Sequence, residues 1–435
     1  MRRSTSRSAA LLLALAAGSL VPQGARGADD LTIWVDLVAR GVATRSPPSW
    51  LAGGTGRLAF GDGADHWQAD GLGEAQLGLD WRRGERFAAH LHGRGRAQRG
   101  DGGAVGGLVE AWAQATANPR GGADRLRLRA GQLFLPTSRE NVAPLWSSPY
   151  TLSLSALNSW IGEEVRPLGL LVEYDATVEE AQGVRAGVCV FGGNDTSGAL
   201  LAWRGWAMGD RLSVLGEALP LPPLPSLATG GAFGGQDRDG TTAIDSDLDG
   251  RPGWAGYLRY RRSDAGRLGT ALVQLSHFDN RGDRALHRGQ YAWDTTFDLV
   301  GGEVHPGGGW TLAAEHMRGR TAMGLPRPRA DATFRASYLL ASWEHGAGRT
   351  SWRATLRWDG FATRDRDHLA AGERSDEDGQ AWTAALLWHP QPALGIGVEL
   401  LDLTAHRPAL AGPGRRDDGG RTATLGIRWR VGSPG

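Results

Sequence analysis

Arginines recur at every second position on two short stretches of the chain. In RFAAHLHGRGRA (86–97), His90, His92, Arg94 and Arg96 fall on one face, and Ala89, Leu91, Gly93 and Ala97 on the other. In DRLRLRAGQLF (124–134), Arg125, Arg127 and Arg129 share a face, and Leu126, Leu128 and Ala130 take the opposite one. A period of two is the side-chain period of an extended strand. Each stretch is therefore a predicted strand with a row of guanidinium groups on one side and an apolar row on the other. A guanidinium wall attracts anions and, placed opposite carboxylates, sets up a transverse field. The same wall could also be solvated without selecting anything.

A second group of charges follows. Residues 135–165 begin with Leu135-Pro136 and carry Arg139, Glu140, Glu163 and Glu164, with Arg166 just beyond. The segment is too long for a tight turn, and loops beyond about 12–15 residues are usually functional or disordered. It also holds Trp146, Trp160, Leu145, Tyr150, Leu152, Leu154 and Leu157. A disordered segment lacks so many apolar anchors. The expectation is an ordered loop that turns inward and presents its charges at a constriction; a loop packed on a rim is the alternative.

A third group is acidic. DRDGTTAIDSDLDG (237–250) contains Asp237, Asp239, Asp245, Asp247 and Asp249 before Gly250. Alternate aspartates followed by glycine make the front half of a calcium loop, but Gly256 stands where the closing bidentate glutamate is needed. An acidic surface loop is the better reading, within a Pro-rich loop at 220–252. Enzymatic patterns are poorer still. The eleven histidines are scattered, and neither G-x-S-x-G nor H-E-x-x-H occurs. No catalysis, metal or cofactor is expected.

The elements that must position these groups are strands. Alternation recurs in segments of roughly ten residues. Leu31, Ile33, Val35 and Leu37 share a face near the start, and GLVEAWAQAT, LGLLVEYDATV, GVRAGVCVFG, ALLAWRGWAM, RLSVLGEAL, GWAGYLRYRR and RLGTALVQLSHF follow. YAWDTTFDLVGGEV, GWTLAAEHM, FRASYLLASWEH, TSWRATLRWDGF, AWTAALLWH, LGIGVELLDLT and RTATLGIRWRV complete the series, separated by turns rich in Gly, Asp, Asn and Pro. These patterns predict an all-β chain of about 16–18 strands and no helical period. So many half-apolar strands cannot lie as an open sheet without leaving bare edges. No fixed repeat of 40–50 residues supports a propeller, and a sandwich would not interleave so many arginines with its core face. A closed transmembrane antiparallel β-barrel fits, since a strand tilted through a bilayer needs about 9–11 residues. Its apolar face would meet lipid and its polar face an aqueous lumen. Tryptophans at 203, 206, 254, 293, 310, 343, 352, 358, 382, 388 and 429 are expected in the aromatic girdles of such a barrel.

The first 27 residues read as a secretory signal peptide. Arg2, Arg3 and Arg7 precede an apolar run from Ala9 to Val21, and Ala25-Arg26-Gly27 suits cleavage. The barrel would then occupy 28–435. With 48 basic and 47 acidic residues overall, and four Arg but no acid before residue 28, the remainder carries 44 against 47, a net −3. That balance gives no case for nucleic-acid binding. The expected partners are outer-membrane lipid and small solutes. All the basic residues are Arg, and the single cysteine, Cys189, excludes a disulfide scaffold.

The stretch RLRLRAGQLFLP (125–136) resembles the phosphate-selective porin O/P-like group of outer-membrane porins. Gly131, Gln132 and Pro136 stand where that group ends a basic strand and begins its long loop, and TSRENVAPLWSSPY and SALNSW resemble the loop. The strand plan extends the likeness over most of 28–431. The resemblance implies a porin-like channel for passive diffusion of small hydrophilic or anionic solutes, able to assemble as a homotrimer. The group's lysine-rich phosphate sites have no match here. The reading from another class is a barrel with a blocked lumen that serves as a surface binding protein or hydrolase. If the barrel reading holds, Arg94, Arg96, Arg125, Arg127, Arg129, Arg139, Glu140, Glu163, Glu164 and Arg166 are the pore-lining candidates.

Overall fold

A computed structural model describes residues 29–432 apart from 64, 99, 102, 104, 180, 235, 237–244, 325–328, 347–349, 368–374 and 408–418. The predicted signal segment 1–27 and the aspartates at 237 and 239 lie outside the described residues. Sixteen long strands make the wall: β1 (Asp29–Arg45), β2 (Gln68–Arg83), β3 (Phe87–Gln98), β4 (Gly106–Ala117), β5 (Arg125–Gln132), β6 (Leu168–Glu179), β7 (Gln182–Gly192), β8 (Gly253–Arg262), β9 (Thr270–Asp279), β10 (Asp294–Gly307), β11 (Trp310–Met323), β12 (Ala330–His345), β13 (Ser351–Asp365), β14 (Glu377–Gln391), β15 (Leu394–His406) and β16 (Gly420–Val431). Each pairs antiparallel with its sequence neighbours, and the sheet closes where β16 pairs with β1, from Val35 opposite Val431 to Arg45 opposite Arg421. A two-residue ladder, Leu286–His287 with Gln290–Tyr291, lies outside this closed sheet.

Closure follows from the alternation. Leu31, Ile33, Leu77, Leu91, Leu126, Leu128, Leu170, Val172, Val188, Leu258, Leu275, Leu356 and Leu425 all point outward and stay exposed. A belt of exposed aliphatic side chains on a closed wall is stable against hydrocarbon and unfavourable against water. The inward positions are polar or packed against the filling of the barrel. Charged pairs interrupt the outward face: His277 and Arg318 flank Asp298 at 2.8 and 3.7 Å, and Arg421 stands 3.0 Å from Asp402.

Two long connections enter the barrel. One runs from Leu133 to Pro167 and contains helix α1 (Ala156–Glu164), capped by Ser155 Oγ, which accepts from the Asn158 amide. The other runs from Gly193 to Pro252 and contains α2 (Ala199–Trp203). They build two apolar clusters. The deeper one centres on Trp160, Trp206, Phe297, Phe334 and Phe361; the other joins Trp50, Trp203, Leu219, Leu224, Phe233 and Trp293. No helix among the described residues is long and apolar enough to cross a membrane.

Several sequence expectations change here. ALLAWRGWAM and RLSVLGEAL are not strands. The first has consecutive apolar residues rather than alternation and forms α2. The second spends its backbone groups inside the barrel, with the Ser213 amide on the Gly162 carbonyl and the Leu215 amide on the Leu108 carbonyl. Trp203, Trp206 and Trp293 are enclosed in the two clusters rather than placed in a girdle, whereas Trp254, Trp310, Trp343, Trp352, Trp382 and Trp429 face outward. Strand β5 ends at Gln132, before Leu133–Leu135, because the chain leaves the wall at Gly131. That residue has φ 138°, and a Cβ there would lie 2.1 Å from the Ala111 carbonyl oxygen.

Candidate functional site: the lumen and its mouth

Short turns such as 84–86, 263–269, 308–309 and 392–393 gather at one end of the barrel, and the long connections at the other. From β5, near the short-turn half, the inner segment crosses the whole lumen. The Phe134 amide donates to Glu110 Oε1 on β4 (2.8 Å), and Arg259 and Gln274 of β8 and β9 donate to the Pro136 carbonyl (3.0 and 2.9 Å). The Arg139 amide reaches Glu315 Oε1 on β11 (3.0 Å), and the Leu152 amide reaches Glu399 Oε2 on β15 (2.7 Å). The Ala156 amide, at the start of α1, donates to Asp359 on β13 (3.1 Å). A loop inside a barrel must satisfy its backbone groups without strand partners. Here inward side chains of six strands do so: carboxylates of β4, β11, β13 and β15 accept from its amides, and Arg259 and Gln274 of β8 and β9 donate to its carbonyl.

The candidate charges fall into two sets. Seven are enclosed. Glu140 accepts from Arg357 (2.5 Å), the Ser155 amide and the Asn158 amide nitrogen. Arg139 is buried beside Glu315. Glu163 pairs with Arg204 at 2.7 Å, and burial holds its carboxyl above the usual range despite that partner. Burial pushes Glu164 up to about 7, against hydrogen bonds from the Leu200 and Gly198 amides and Trp160 Nε1. Arg166 donates to the carbonyls of Val109, Gly162 and Ser213, and its guanidinium stands 4.5 Å over the Phe134 ring. Arg96 bridges Glu74 and Asp210 at 3.1 Å each, with Arg94 3.8 Å from Glu74. Burial alone would raise Asp210, but Arg40 and Arg96 hold it well below the usual carboxylate range. Together the seven bind the two inner connections to each other and to the wall.

The other three face open space. Arg125, Arg127 and Arg129 line a basin of about 460 Å³ at the short-turn mouth, together with Arg82, Arg185 and the carboxylates Asp80, Glu85 and Glu173. Arg127 stands 3.4 Å from Asp175; Arg129 donates to Gln114 Oε1 and lies 4.3 Å over the Trp112 ring. The stacking and the amide bond hold the Arg129 side chain to the wall while its charge stays accessible.

Across the lumen, a second opening of about 390 Å³ runs between the inner segment at Ala143–Leu154 and the wall of β1, β14, β15 and β16. Arg40, Arg353, Arg428, Arg430 and His389 line it with Glu74, Asp210 and Glu344. Asp36, fully buried, holds Arg428 and Arg430 through their Nε atoms at 3.0 Å each. These arginines were missed in the sequence, although IRWRV shows the same spacing of two as RLRLR. At the tip of the inner segment, Leu145 and Trp146 take left-handed backbone conformations, φ 59° and 49°, each costing on the order of 1–3 kcal/mol. The stacking of Trp146 on Phe134, centroids 4.1 Å apart, helps hold that geometry.

Among the described residues, two groups have the donor chemistry for a metal: His90 with His92 and Glu110, and Asp195 with Asp247 and Asp249 in the loop at the other end. Burial and the two neighbouring aspartates push the Asp195 carboxyl up to about 6.

The architecture is that of known outer-membrane porins. The chain superposes on the outer-membrane channel DcaP of Acinetobacter baumannii with a TM-score of 0.53 and 11% identity, covering 94% of this chain and 99% of that one. It superposes on the anion-selective porin from Comamonas acidovorans with a TM-score of 0.51 and 12% identity, over 93% and 100%. For Salmonella typhi OmpF in complex with daunomycin the values are 0.51, 12%, 93% and 98%. No protein-family model matches the chain, and no curated protein matches it in sequence.

Proposed function

We propose that the chain is an outer-membrane channel through which small hydrophilic solutes, anions in preference, diffuse passively, without catalysis. The observation that carries this reading is the basin at the short-turn mouth, where five arginines face three carboxylates around open space. In outer-membrane barrels the short turns lie on the periplasmic side, so the basin is the inner vestibule. The opening along β14–β16 continues the cationic excess, with four arginines against three carboxylates. A fixed excess of guanidinium charge on a low-dielectric wall raises the local concentration of anions. The barrel structures it resembles include an anion-selective porin, which supports the same direction. Gly131, Gln132 and Pro136 keep the likeness to the phosphate-selective group, and assembly as a homotrimer is part of the proposal. Phosphate itself is not assigned.

The test is single-channel recording in planar bilayers with a salt gradient. Wild-type protein whose gel mobility is heat-modifiable should conduct with a reversal potential on the anion side. Arg127→Gln with Arg129→Gln should move that potential toward zero. The two apolar clusters favour a second reading, a barrel blocked for transport that acts as a surface binding protein or hydrolase. Folded protein that never conducts would support that reading and remove the channel.

A further inference from the structure

The inner wall between β3 and β4 carries a histidine pair that the channel reading does not use. We propose that His90, His92 and Glu110 bind one transition-metal dication of the Zn²⁺ class. One donor atom from each residue lies within 4.8 Å of the others, and His90 Nε2 stands 4.0 Å from Glu110 Oε2.

The surroundings fix which atoms are free to bind. His90 Nδ1 lies 2.7 Å from Asp80 Oδ1. An ionised carboxylate only accepts, so Nδ1 carries the proton and Nε2 keeps its lone pair. Asp80 is in turn held by Trp34 Nε1 at 2.7 Å. His92 Nε2 lies 2.8 Å from Gln76 Oε1, and the Gln76 amide nitrogen donates to Glu74 at 2.6 Å, which fixes the amide's orientation. Nε2 of His92 is therefore the protonated nitrogen and Nδ1 the lone-pair nitrogen. His92 is fully buried, and its Nδ1 has no hydrogen-bond partner. A buried acceptor left unpaired is unfavourable, and a bound metal would satisfy it. Glu110 uses Oε1 for the Phe134 amide and leaves Oε2 toward His90.

A carboxylate behind a ligating histidine is the usual outer-shell arrangement of metal sites. Two imidazoles and one carboxylate suit Zn²⁺ or Co²⁺; calcium would want an all-oxygen shell. Tetrahedral bonds of about 2.0–2.2 Å place ligand atoms roughly 3.4 Å apart, so small side-chain shifts close the site and leave a fourth position open. Access is from the basin: Asp80 and Trp112 line it, and the Trp112 ring stacks on His90 at 5.2 Å.

The experiment is a Co²⁺ titration of the untagged chain from residue 28, folded in detergent. The expected result is one Co²⁺ per chain with a visible d–d absorption band, displaced by Zn²⁺ and not by Ca²⁺. His90→Asn and Glu110→Gln should each weaken binding at least tenfold while keeping heat-modifiable mobility, and Asp80→Asn should weaken it about 10–100-fold through the outer shell. His90→Asn is the decisive variant because fully buried His92 is the riskier one for folding. No stoichiometric band with the folded wild type, or unchanged affinity in His90→Asn, overturns the site. The readout is independent of conductance, so it stands or falls apart from the channel reading.

Discussion

Glu140 of the inner segment and Arg357 of β13 meet at 2.5 Å, both side chains fully enclosed, 217 positions apart in sequence. Arg357 also pairs with Asp359 at 2.9 Å and donates to the Ser153 and Leu154 carbonyls. One guanidinium therefore fastens the inner segment to the wall. Removing one partner of a buried pair leaves the other charge uncompensated and costs about 3–5 kcal/mol. Arg357→Met should lower the temperature of heat-modifiable unfolding and expose residues 137–155 to protease. Adding Glu140→Gln should recover part of the loss. If Arg357→Met left both readouts unchanged, the fastening role would be wrong.

Trp160 sits at the centre of the lumen filling. Its ring lies 6.1 Å from Trp206, 5.5 Å from Phe297 and 5.4 Å from Phe334, and it is fully buried. Trp160→Ala should cost about 3–5 kcal/mol and open space within the lumen filling. The expected pair of results is a lower unfolding temperature and a larger unit conductance. Lower stability with unchanged conductance would mean that the permeation path does not pass this cluster.

The wall was legible in the sequence because a strand with one face to lipid and one to the lumen must alternate. Arg125, Arg127 and Arg129 point inward and Leu126 and Leu128 outward, as RLRLR requires. Strand β2 was harder to see, since Ala69, Gly71, Gly73 and Ala75 on its outward face give almost no hydropathic contrast. Helix α1 was hard to read. All nine of its residues are buried, the polar Asn158, Ser159, Glu163 and Glu164 among them, so no solvent-facing side marks a stripe. Its one signal was local: Ser155 before ALNSWIGEE, a residue suited to cap a helix. The enclosed Trp203, Trp206 and Trp293 show the other limit. A tryptophan in a girdle and one packed inside a barrel look alike until the path of the 193–252 connection is known.

Glu164 gives a pH dependence of definite sign. It lies outside the wall strands, and burial raises its folded pKa to about 7, above its ordinary value of 4.5. Between those values the folded form holds the proton that the unfolded form has released, so stability falls as pH rises through the window. Asp195, raised to about 6, acts in the same direction. The contact of α1 with α2 should therefore be firmer at pH 5 than at pH 8, read as slower proteolysis of 199–236. Glu164→Gln should flatten that dependence. A wild-type profile that rises with pH would contradict the assignment.

Cys189 supplies a probe of the lumen filling. It is the only cysteine in the chain. It sits on β7 opposite Leu171 of β6 and Ala255 of β8, all three packed in the inner apolar cluster with Cys189 itself 0% exposed. Its side chain points inward, and the filling of the lumen, including Trp160 and Ile161 of the inner segment, covers it in that cluster. A maleimide should leave the heat-modifiable form unlabelled and react fully after heating in detergent, with a rate set by opening of the filling. Arg357→Met, by loosening the inner segment, should speed the labelling without abolishing heat-modifiable mobility. Rapid labelling of the native band in wild-type protein would show that the filling near β7 opens on its own, and the enclosed cluster could not then be the resting state.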